Sequence, residues 1–139
     1  MDARQDRVLL IARDPRERAA LVDSALQPSG YSVEAVGDAG AALAAIRTNP
    51  PDVLILDLHL DGLSGRDLLT ALAARGDDTP VLLLVDQGGE REALQAFRLG
   101  ATDYVVRPVR EAELIQAVER ALQQVRLRRE RETLLGELH

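Results

Sequence analysis

The sequence predicts a doubly wound α/β domain built on a five-stranded parallel sheet. Five short apolar or half-apolar runs alternate with helical patterns along the 139 residues, which is typical of a parallel sheet covered by helices on both faces. Three runs are apolar throughout, which indicates strands buried on both faces. The second and the last run are mixed with polar residues, which indicates edge strands. This pattern favours the strand order 2-1-3-4-5.

The composition is that of an ordinary globular domain. Hydrophobic residues make up 46% of the chain and charged residues 29%, so one domain with a sizeable core is expected. The chain has no cysteine, which excludes disulfides and thiolate metal sites. Its net charge of −6 argues against a general nucleic-acid binder, and all 17 of its basic residues are arginine.

No stretch of the sequence has the pattern of a membrane span. No apolar run approaches the roughly 18 residues that such a span needs. The polar segment Met1–Asp6 lacks the apolar core of a signal peptide. We therefore expect a cytoplasmic protein with neither a membrane nor a nucleic acid as a direct partner.

Proline, glycine and capping residues separate the predicted elements. Asp14, Asp38 and Ser64 are predicted N-caps, and Ser64 forms a capping box with Asp67. The predicted strands are 8–12, 31–36, 53–56, 81–85 and 103–106. The predicted helices are 15–27, 39–48, 65–74, 90–99 and a last one that begins near residue 110.

The most informative stretch is the apolar run Val53–Leu56, which ends abruptly on Asp57. A carboxylate at the carboxyl end of a central strand lies where open α/β sheets bind ligands. The strand order places the ends of the first and third strands side by side, so Asp57 is expected to face the segment 12–14. An ordinary turn-capping role for Asp57 remains open at this point, and His59 is most simply a solvated loop residue.

The last helix is longer than the domain requires. From Glu111 to Leu138 it would extend about 42 Å. Its second half is charged, with leucines interspersed, so we divide the chain into a domain 1–126 and a helical extension or linker 127–139. The extension is either a solvated tail or a coiled-coil connector to a second protomer or an output domain. Because Leu127, Leu134 and Leu138 are spaced by seven and four residues, we predict that it continues the helix and self-associates.

These features resemble the response-regulator receiver domain of two-component signalling, over roughly residues 7–125. Val53–Gly65 is similar to the family's third strand, acceptor and following loop, and Thr79–Val85 is similar to its fourth strand. Gly100–Pro108 is similar to its fifth strand. The resemblance implies a flavodoxin-like fold, Asp57 as the phospho-acceptor and Tyr104 as the switch aromatic. It also implies a signalling module rather than an enzyme, with a histidine kinase or an output domain as partner.

The acidic pair of the family is missing from the end of the first strand. Typical receivers carry two acidic residues there that help to hold Mg²⁺, whereas this chain has Ala12 and Arg13, followed by the acidic Asp14. Asp14 is better explained as a helix cap than as a metal ligand.

Three further positions depart from the family's pattern. The hydroxyl residue that normally ends the fourth strand is Val85, followed here by Asp86. The lysine before the fifth-strand proline is Arg107, whose planar guanidinium has a different shape. The proline four residues after the acceptor is Asp61.

These departures change the expected charge of the pocket. Counting Asp57 against Arg13 and Arg107 leaves a net charge of +1, which does not favour a hard divalent cation. No cofactor is therefore expected. If Mg²⁺ does bind, its candidate ligands are Asp57, Asp14 and the backbone carbonyl of His59. We predict that Arg13 pairs with Asp57 and makes it a poor acceptor.

The predicted fold suggests three functions, of which the sequence supports two. The leading hypothesis is an atypical receiver that works through protein contacts with weak or no Mg²⁺-dependent phosphorylation. The alternative is a conventional phospho-accepting receiver, in which Asp14 or Asp86 restores the metal site and a histidine kinase phosphorylates Asp57. A flavodoxin-like cofactor or enzyme domain would need a phosphate-cradling loop after the first strand, which the segment 12–16 does not offer.

A partner surface is predicted on the fourth helix, fifth strand and fifth helix. This is where related receivers associate, so we expect a homodimer through this face or through the C-terminal helix. The charged residues that would pair across a two-fold axis are Arg91, Glu92, Asp103, Arg110 and Glu111.

Overall fold

Five parallel strands form one sheet in the computed structural model, which describes residues 5–60, 63–76 and 78–137. The sheet has the order β2-β1-β3-β4-β5, which confirms the prediction. The strands are β1 (Arg7–Ile11), β2 (Ser32–Val36), β3 (Val53–Asp57), β4 (Val81–Val85) and β5 (Asp103–Val106). All four ladders are parallel, and the three apolar strands occupy the centre.

Helices connect the strands in the predicted alternation. They are α1 (Pro15–Leu21), α2 (Ala39–Thr48), α3 (Gly65–Ala74), α4 (Glu90–Arg98) and α5 (Glu111–Glu137). The predicted N-caps are confirmed, because the side chains of Asp14, Asp38 and Ser64 each accept a backbone N–H from the first turn of their helix. The capping box between Ser64 and Asp67 is also present.

The first helix differs from the prediction in its second half. Instead of one α-helix to residue 27, α1 ends at Leu21 and a π-helical segment, Val22–Leu26, follows. The N–H of Gln27 donates to the carbonyl of Val22, five residues earlier, which widens this turn. Its buried residues, Ala25 and Leu26, pack on the sheet as the apolar pattern requires.

The two faces of the sheet form two separate apolar cores. One core lies beneath α2, α3 and α4 and contains Leu54, Leu56 and Leu83. The other lies beneath α1, the π-helical segment and α5, and contains Leu10, Ile55 and Leu114. Each of these fully buried side chains contributes roughly 1.5–3 kcal/mol through its removal from water.

The fifth helix continues well past the sheet. It is unbroken through Glu137, which confirms the predicted continuation as far as the described residues reach, and Leu138 lies outside them. Leu127, Leu134 and Leu135 are all more than half exposed. Ion pairs from Arg126 to Asp6 and from Arg128 to Asp78 join the beginning of this exposed half to the domain. The division at 126/127 stays a prediction, since the helix runs through it.

Candidate functional site

The candidate site is an open cavity of about 260 Å³ at the carboxyl edge of the sheet. It lies where the ends of β1 and β3 meet, so Asp57 faces the segment after β1 as predicted. The cavity brings together most of the residues that the sequence singled out and one that it did not, Glu17. Its lining residues are Arg13, Asp14, Glu17, Asp57, His59, Asp86 and Arg107.

Asp57 is held at the end of β3 by a buried strand and a tight loop. The residue is 6% exposed, and its Oδ1 accepts the backbone N–H of His59 at 2.8 Å. The loop returns so closely that the N–H of Gly65 donates to the carbonyl of Leu58. A Cβ on Gly65 would lie 2.7 Å from the Cα of Leu58, so glycine is required at this close approach.

Arg107 is the centre of the pocket. It follows β5, and its backbone N–H donates to the carbonyl of Val85 at 2.7 Å. Its guanidinium reaches three carboxylates from three different elements: Asp57 at 3.0 Å, Asp86 at 3.0 Å and Glu17 at 2.8 Å. The pair with Glu17 is bidentate, because Nε and Nη2 each donate to one Glu17 oxygen at 2.8 Å.

The structure corrects the expectation that Arg13 holds Asp57. Among the described residues, the ion pair to Asp57 comes from Arg107 and not from Arg13. Arg13 lines the same cavity, but it lies on the exposed loop after β1. Arg107 leaves the sheet beside β4, so its long side chain extends across the ends of β4 and β3.

The structure also corrects the charge of the pocket. The four carboxylates that line the cavity outweigh its two guanidinium groups, so the formal charge of the described lining is −2 with His59 neutral, and not +1. The difference comes equally from Asp14, Asp86 and Glu17, which the first count left out, and the sequence interpretation did not name Glu17 as a pocket residue. The position of Glu17 in the first turn of the helix after Asp14 could have indicated a pocket role, because that helix begins at the same edge of the sheet as Asp57.

The side chains of Asp14 and Arg18 both form hydrogen bonds with the backbone near the end of β1. Asp14 is exposed and caps α1, its Oδ1 accepting the backbone N–H of Arg16 at 2.9 Å. Arg18 donates from Nη1 to the backbone carbonyls of Ala12 at 2.6 Å and Arg13 at 3.1 Å. A second arginine therefore satisfies the loop oxygens that follow β1.

Val85 and Tyr104 lie outside this cavity. Val85 is buried and lines an adjoining cavity of about 150 Å³ with His59 and Asp86. Tyr104 lies on the edge strand, partly exposed, with its ring centroid 5.9 Å from that of Phe97. The side chain of His59 is exposed, and its Nε2 lies 3.4 Å from a carboxylate oxygen of Glu92 on α4.

The hydrogen bonds around Arg107 fix its charge state. The pKa of Arg107 is raised above its ordinary value, chiefly by the hydrogen bonds that it donates to Glu17 and further by the charges of Asp57 and Glu17. Burial acts in the opposite direction. The pocket therefore contains a permanent cation.

The residues described here do not fit the Mg²⁺ that the family resemblance implies. Oxygens of Glu17, Asp57 and Asp86 are bound by the guanidinium of Arg107. Within residues 5–60, 63–76 and 78–137, no group of three or more His, Asp or Glu side chains is placed to share one metal ion. Asp61, the residue at the family's proline position, lies outside the described residues.

The architecture and the site define a class of protein. A parallel sheet of order 2-1-3-4-5 with an aspartate at the carboxyl end of β3 is the flavodoxin-like arrangement of signalling receiver domains. A model of the response regulator receiver domain matches residues 9–119. The chain belongs to this family.

Curated relatives are regulatory proteins that are longer than this chain. The nitrogen assimilation regulatory protein NtrX of Azorhizobium caulinodans is 35% identical over 124 residues, which are 88% of this chain and 27% of that protein. The transcriptional activator protein PfeR of Pseudomonas aeruginosa is 37% identical over 123 residues, which are 88% of this chain and 40% of that protein. The chain thus spans less than half of either relative.

Solved structures of receivers superpose closely. Crystalline NtrX from Brucella abortus matches with a TM-score of 0.88 and 32% identity, covering 94% of this chain and 30% of that one. The receiver domain of a Francisella response regulator matches with a TM-score of 0.81 and 25% identity, covering 87% of this chain and 99% of that one. No helix among the described residues is long and apolar enough to span a bilayer.

Proposed function

We propose that this chain is an atypical receiver module of a two-component regulator, acting through protein contacts with weak or no Mg²⁺-dependent phosphorylation of Asp57. The observation that carries the proposal is the position of Arg107. Its guanidinium lies within 3.0 Å of carboxylate oxygens from Glu17, Asp57 and Asp86. A built-in cation thus binds carboxylate oxygens that would otherwise be available to a metal ion.

Phosphoryl transfer to Asp57 faces two obstacles in this pocket. The reaction needs a carboxylate oxygen to attack phosphorus while cationic groups receive the developing charge. Here Oδ2 of Asp57 accepts from Arg107, and Oδ1 accepts from the backbone of His59. Val85 has no hydroxyl to donate to a phosphoryl oxygen. We therefore expect a signalling module without enzymatic turnover of its own.

A conventional phospho-accepting receiver is the second candidate. It is supported by the similarity to full-length transcriptional regulators and by the four carboxylates that line the cavity. In this case a histidine kinase phosphorylates Asp57, and Arg107 moves to receive the phosphoryl group.

The decisive experiment is exposure of the protein to acetyl phosphate in Mg²⁺, followed by intact mass measurement. Transfer of the phosphoryl group to an Asp57 oxygen breaks the bond between phosphorus and the acetyl oxygen, releases acetate and adds the mass of one phosphoryl group to the protein. For the atypical receiver we expect little or no mass increase, with Asp57→Asn as the matched control. Stoichiometric modification that disappears in Asp57→Asn contradicts the proposal and establishes the conventional function.

The proposed partners are a histidine kinase or an output domain, and a second copy of this chain. Leu94 on α4 is well exposed and Tyr104 on β5 is partly exposed, so both offer apolar area on the α4–β5–α5 face. Of the charged residues predicted to pair across this face, Glu92 contacts His59 and Asp103 contacts Arg120 within the protomer. Apolar contacts must therefore supply most of the affinity. The cytoplasmic location stays a prediction.

Light scattering at high concentration tests the dimer. We expect association that weakens in Leu94→Glu if the α4–β5–α5 face is used, or on deletion of residues 127–139 if the extension is used. Ala44→Glu, an exposed change on α2 and outside the α4–β5–α5 face, serves as a charge-matched control. A protein that remains monomeric throughout contradicts both forms of the proposal.

A further inference from the structure

The guanidinium of Arg107 has almost no hydrogen-bonding capacity left. An arginine side chain carries five N–H groups. Nε and Nη2 donate to Glu17, Nη2 also donates to Asp57, and Nη1 donates to Asp86. Four of the five N–H groups are therefore committed to carboxylates of the protein.

Glu17 is the strongest of these three partners. It is the only one of them that forms a bidentate pair with Arg107, and its side chain is 19% exposed, against 62% for Asp86. Its backbone lies in the first turn of α1, which the Asp14 cap holds in place. A helix N-terminus also favours a negative side chain in this turn. The hydrogen bond of Glu17 is the largest cause of the raised pKa of Arg107.

Glu17 also places a negative charge close to Asp57. One oxygen of each residue lies within 3.0 Å of the same Nη2 atom, so the two carboxylates approach to about 6 Å or less. This negative charge would repel an oxyanion beside Asp57. Most N–H donors of Arg107 would also be bound to protein carboxylates and could not bind the oxyanion.

We propose that Glu17 is a positioning residue that holds Arg107 and closes the pocket to tetrahedral oxyanions, the chemical class of a phosphoryl group. This inference rests on the proposed function in one respect, since it explains why phosphorylation of Asp57 is weak. Neutralising Glu17 removes the competing carboxylate and releases at least one of its two Arg107 N–H donors beside Asp57, since a glutamine keeps one accepting oxygen. Arg107 then binds an oxyanion in place of Glu17.

The test is titration of inorganic phosphate into Mg²⁺-free protein, followed by NMR of the His59 and Arg107 backbone amides. Glu17→Gln keeps the size of the side chain and removes its charge, and we expect it to bind phosphate at least about tenfold more tightly than the unsubstituted protein. Glu17→Ser, a second neutral variant, is expected to show the same gain. Glu90→Gln makes the same change in the first turn of α4, outside the cavity, and is expected to show none.

Two further variants separate charge from packing. Glu17→Asp keeps the charge and shortens the side chain, so we expect it to bind phosphate as weakly as the unsubstituted protein. Adding Arg107→Gln to Glu17→Gln is expected to abolish the gain, because the freed donors belong to Arg107. Equal phosphate affinity in Glu17→Gln and the unsubstituted protein, or a gain in Glu17→Asp as large as in Glu17→Gln, overturns the proposal.

The outcome is distinguishable from failure of the proposed function. The proposed function is contradicted if the unsubstituted protein is stoichiometrically phosphorylated in Mg²⁺. The Glu17 proposal depends instead on a ratio of phosphate affinities measured without metal. Loss of Mg²⁺-dependent modification in Glu17→Gln would identify Glu17 as a metal ligand and would overturn the positioning role.

Discussion

Arginine–carboxylate pairs occur in two regions of this protein, and the two regions differ in exposure. At the carboxyl edge of the sheet, the Arg107 network consists of Arg107 with Glu17, Asp57 and Asp86, and the side chain of Arg107 is 21% exposed. Along α5, the helix pairs Arg126–Asp6 and Arg128–Asp78 have arginines that are more than half exposed.

The same chemistry therefore has different consequences in the two regions. Water and dissolved ions screen the helix pairs, and pairs of this type contribute about 0–1 kcal/mol each. In the Arg107 network three carboxylates depend on one partly buried cation, so removing that cation leaves several charges uncompensated. Burial and shared partners, rather than the number of ion pairs, determine what each region contributes.

The largest effect is expected from Arg107→Met, which keeps the length of the side chain and removes its charge. We expect the free energy of unfolding to fall by about 2–3 kcal/mol, below the value for a fully buried pair because the site is partly open. Urea unfolding at pH 7 measures it. Arg107→Lys is expected to lose less, because it keeps the charge. A loss no larger than that of an exposed pair would contradict the contrast between the two regions.

The next largest effect is expected from substituting a glycine in each region, Gly65 near Asp57 and Gly136 in α5. A Cβ on Gly65 would lie 2.7 Å from Leu58 Cα and 2.8 Å from the Asp57 carbonyl oxygen, so Gly65→Ala is expected to cost about 1–2 kcal/mol by displacing the backbone that follows Asp57. Gly136, in the exposed half of α5, has no such neighbour among the described residues. Gly136→Ala is therefore expected to be neutral or to raise helicity slightly. Equal thermal stability of the two variants would refute this prediction.

The helix pairs are expected to give a smaller effect. Arg126→Ala and Arg128→Ala should each lower the free energy of unfolding by less than about 1 kcal/mol. In 1 M salt, where screening acts within about 3 Å, we expect this loss to shrink further, while the loss in Arg107→Met changes little. Urea unfolding at low and high salt measures both. A salt-independent loss in Arg128→Ala would show that the helix pairs are as well shielded as the Arg107 network.

The smallest effect is expected in the pH dependence of stability, through Tyr31, whose pKa the nearby Asp6 and Arg126 influence. Burial raises the pKa of Tyr31, and the negative charges of Glu119 and Asp6 add to this against the opposing charge of Arg126. A raised pKa in the folded state means that stability is full below the unfolded value of about 10 and is lost as the pH rises through the folded value. We expect a small loss of stability above about pH 10 that Tyr31→Phe removes. An unchanged alkaline profile in Tyr31→Phe would contradict this assignment.

Much of the fold was predictable from local patterns. The apolar runs in β1, β3 and β4 indicated central strands, because a strand buried on both faces needs apolar residues at successive positions. The mixed runs in β2 and β5 indicated edge strands, because a partly exposed strand also carries polar residues. The caps at Asp14 and Ser64 were also predictable, since a cap bonds to a backbone group two or three residues away. The π-helical turn was missed because its apolar spacing differs little from that of an α-helix.

The candidate site was predictable only in part. The strand order alone brought Asp57 to the switch point beside the segment after β1, and Arg107 was recognised as a pocket residue. Which cation pairs with Asp57 was wrongly predicted, since Arg13 and Arg107 are both arginines at the same edge of the sheet. Glu17 was missed because its partner is 90 residues away in the chain.

The sequence by itself determined the order of elements, the strand order, the buried faces and the position of Asp57 at the end of β3. Each of these follows from backbone hydrogen bonding and from the removal of apolar side chains from water, which act on every residue and set the local pattern. Only the tertiary structure decided that Arg107 binds Glu17, Asp57 and Asp86 together. An ion pair depends on ångström distances between flexible side chains from separate elements, and no spacing in the sequence encodes those distances.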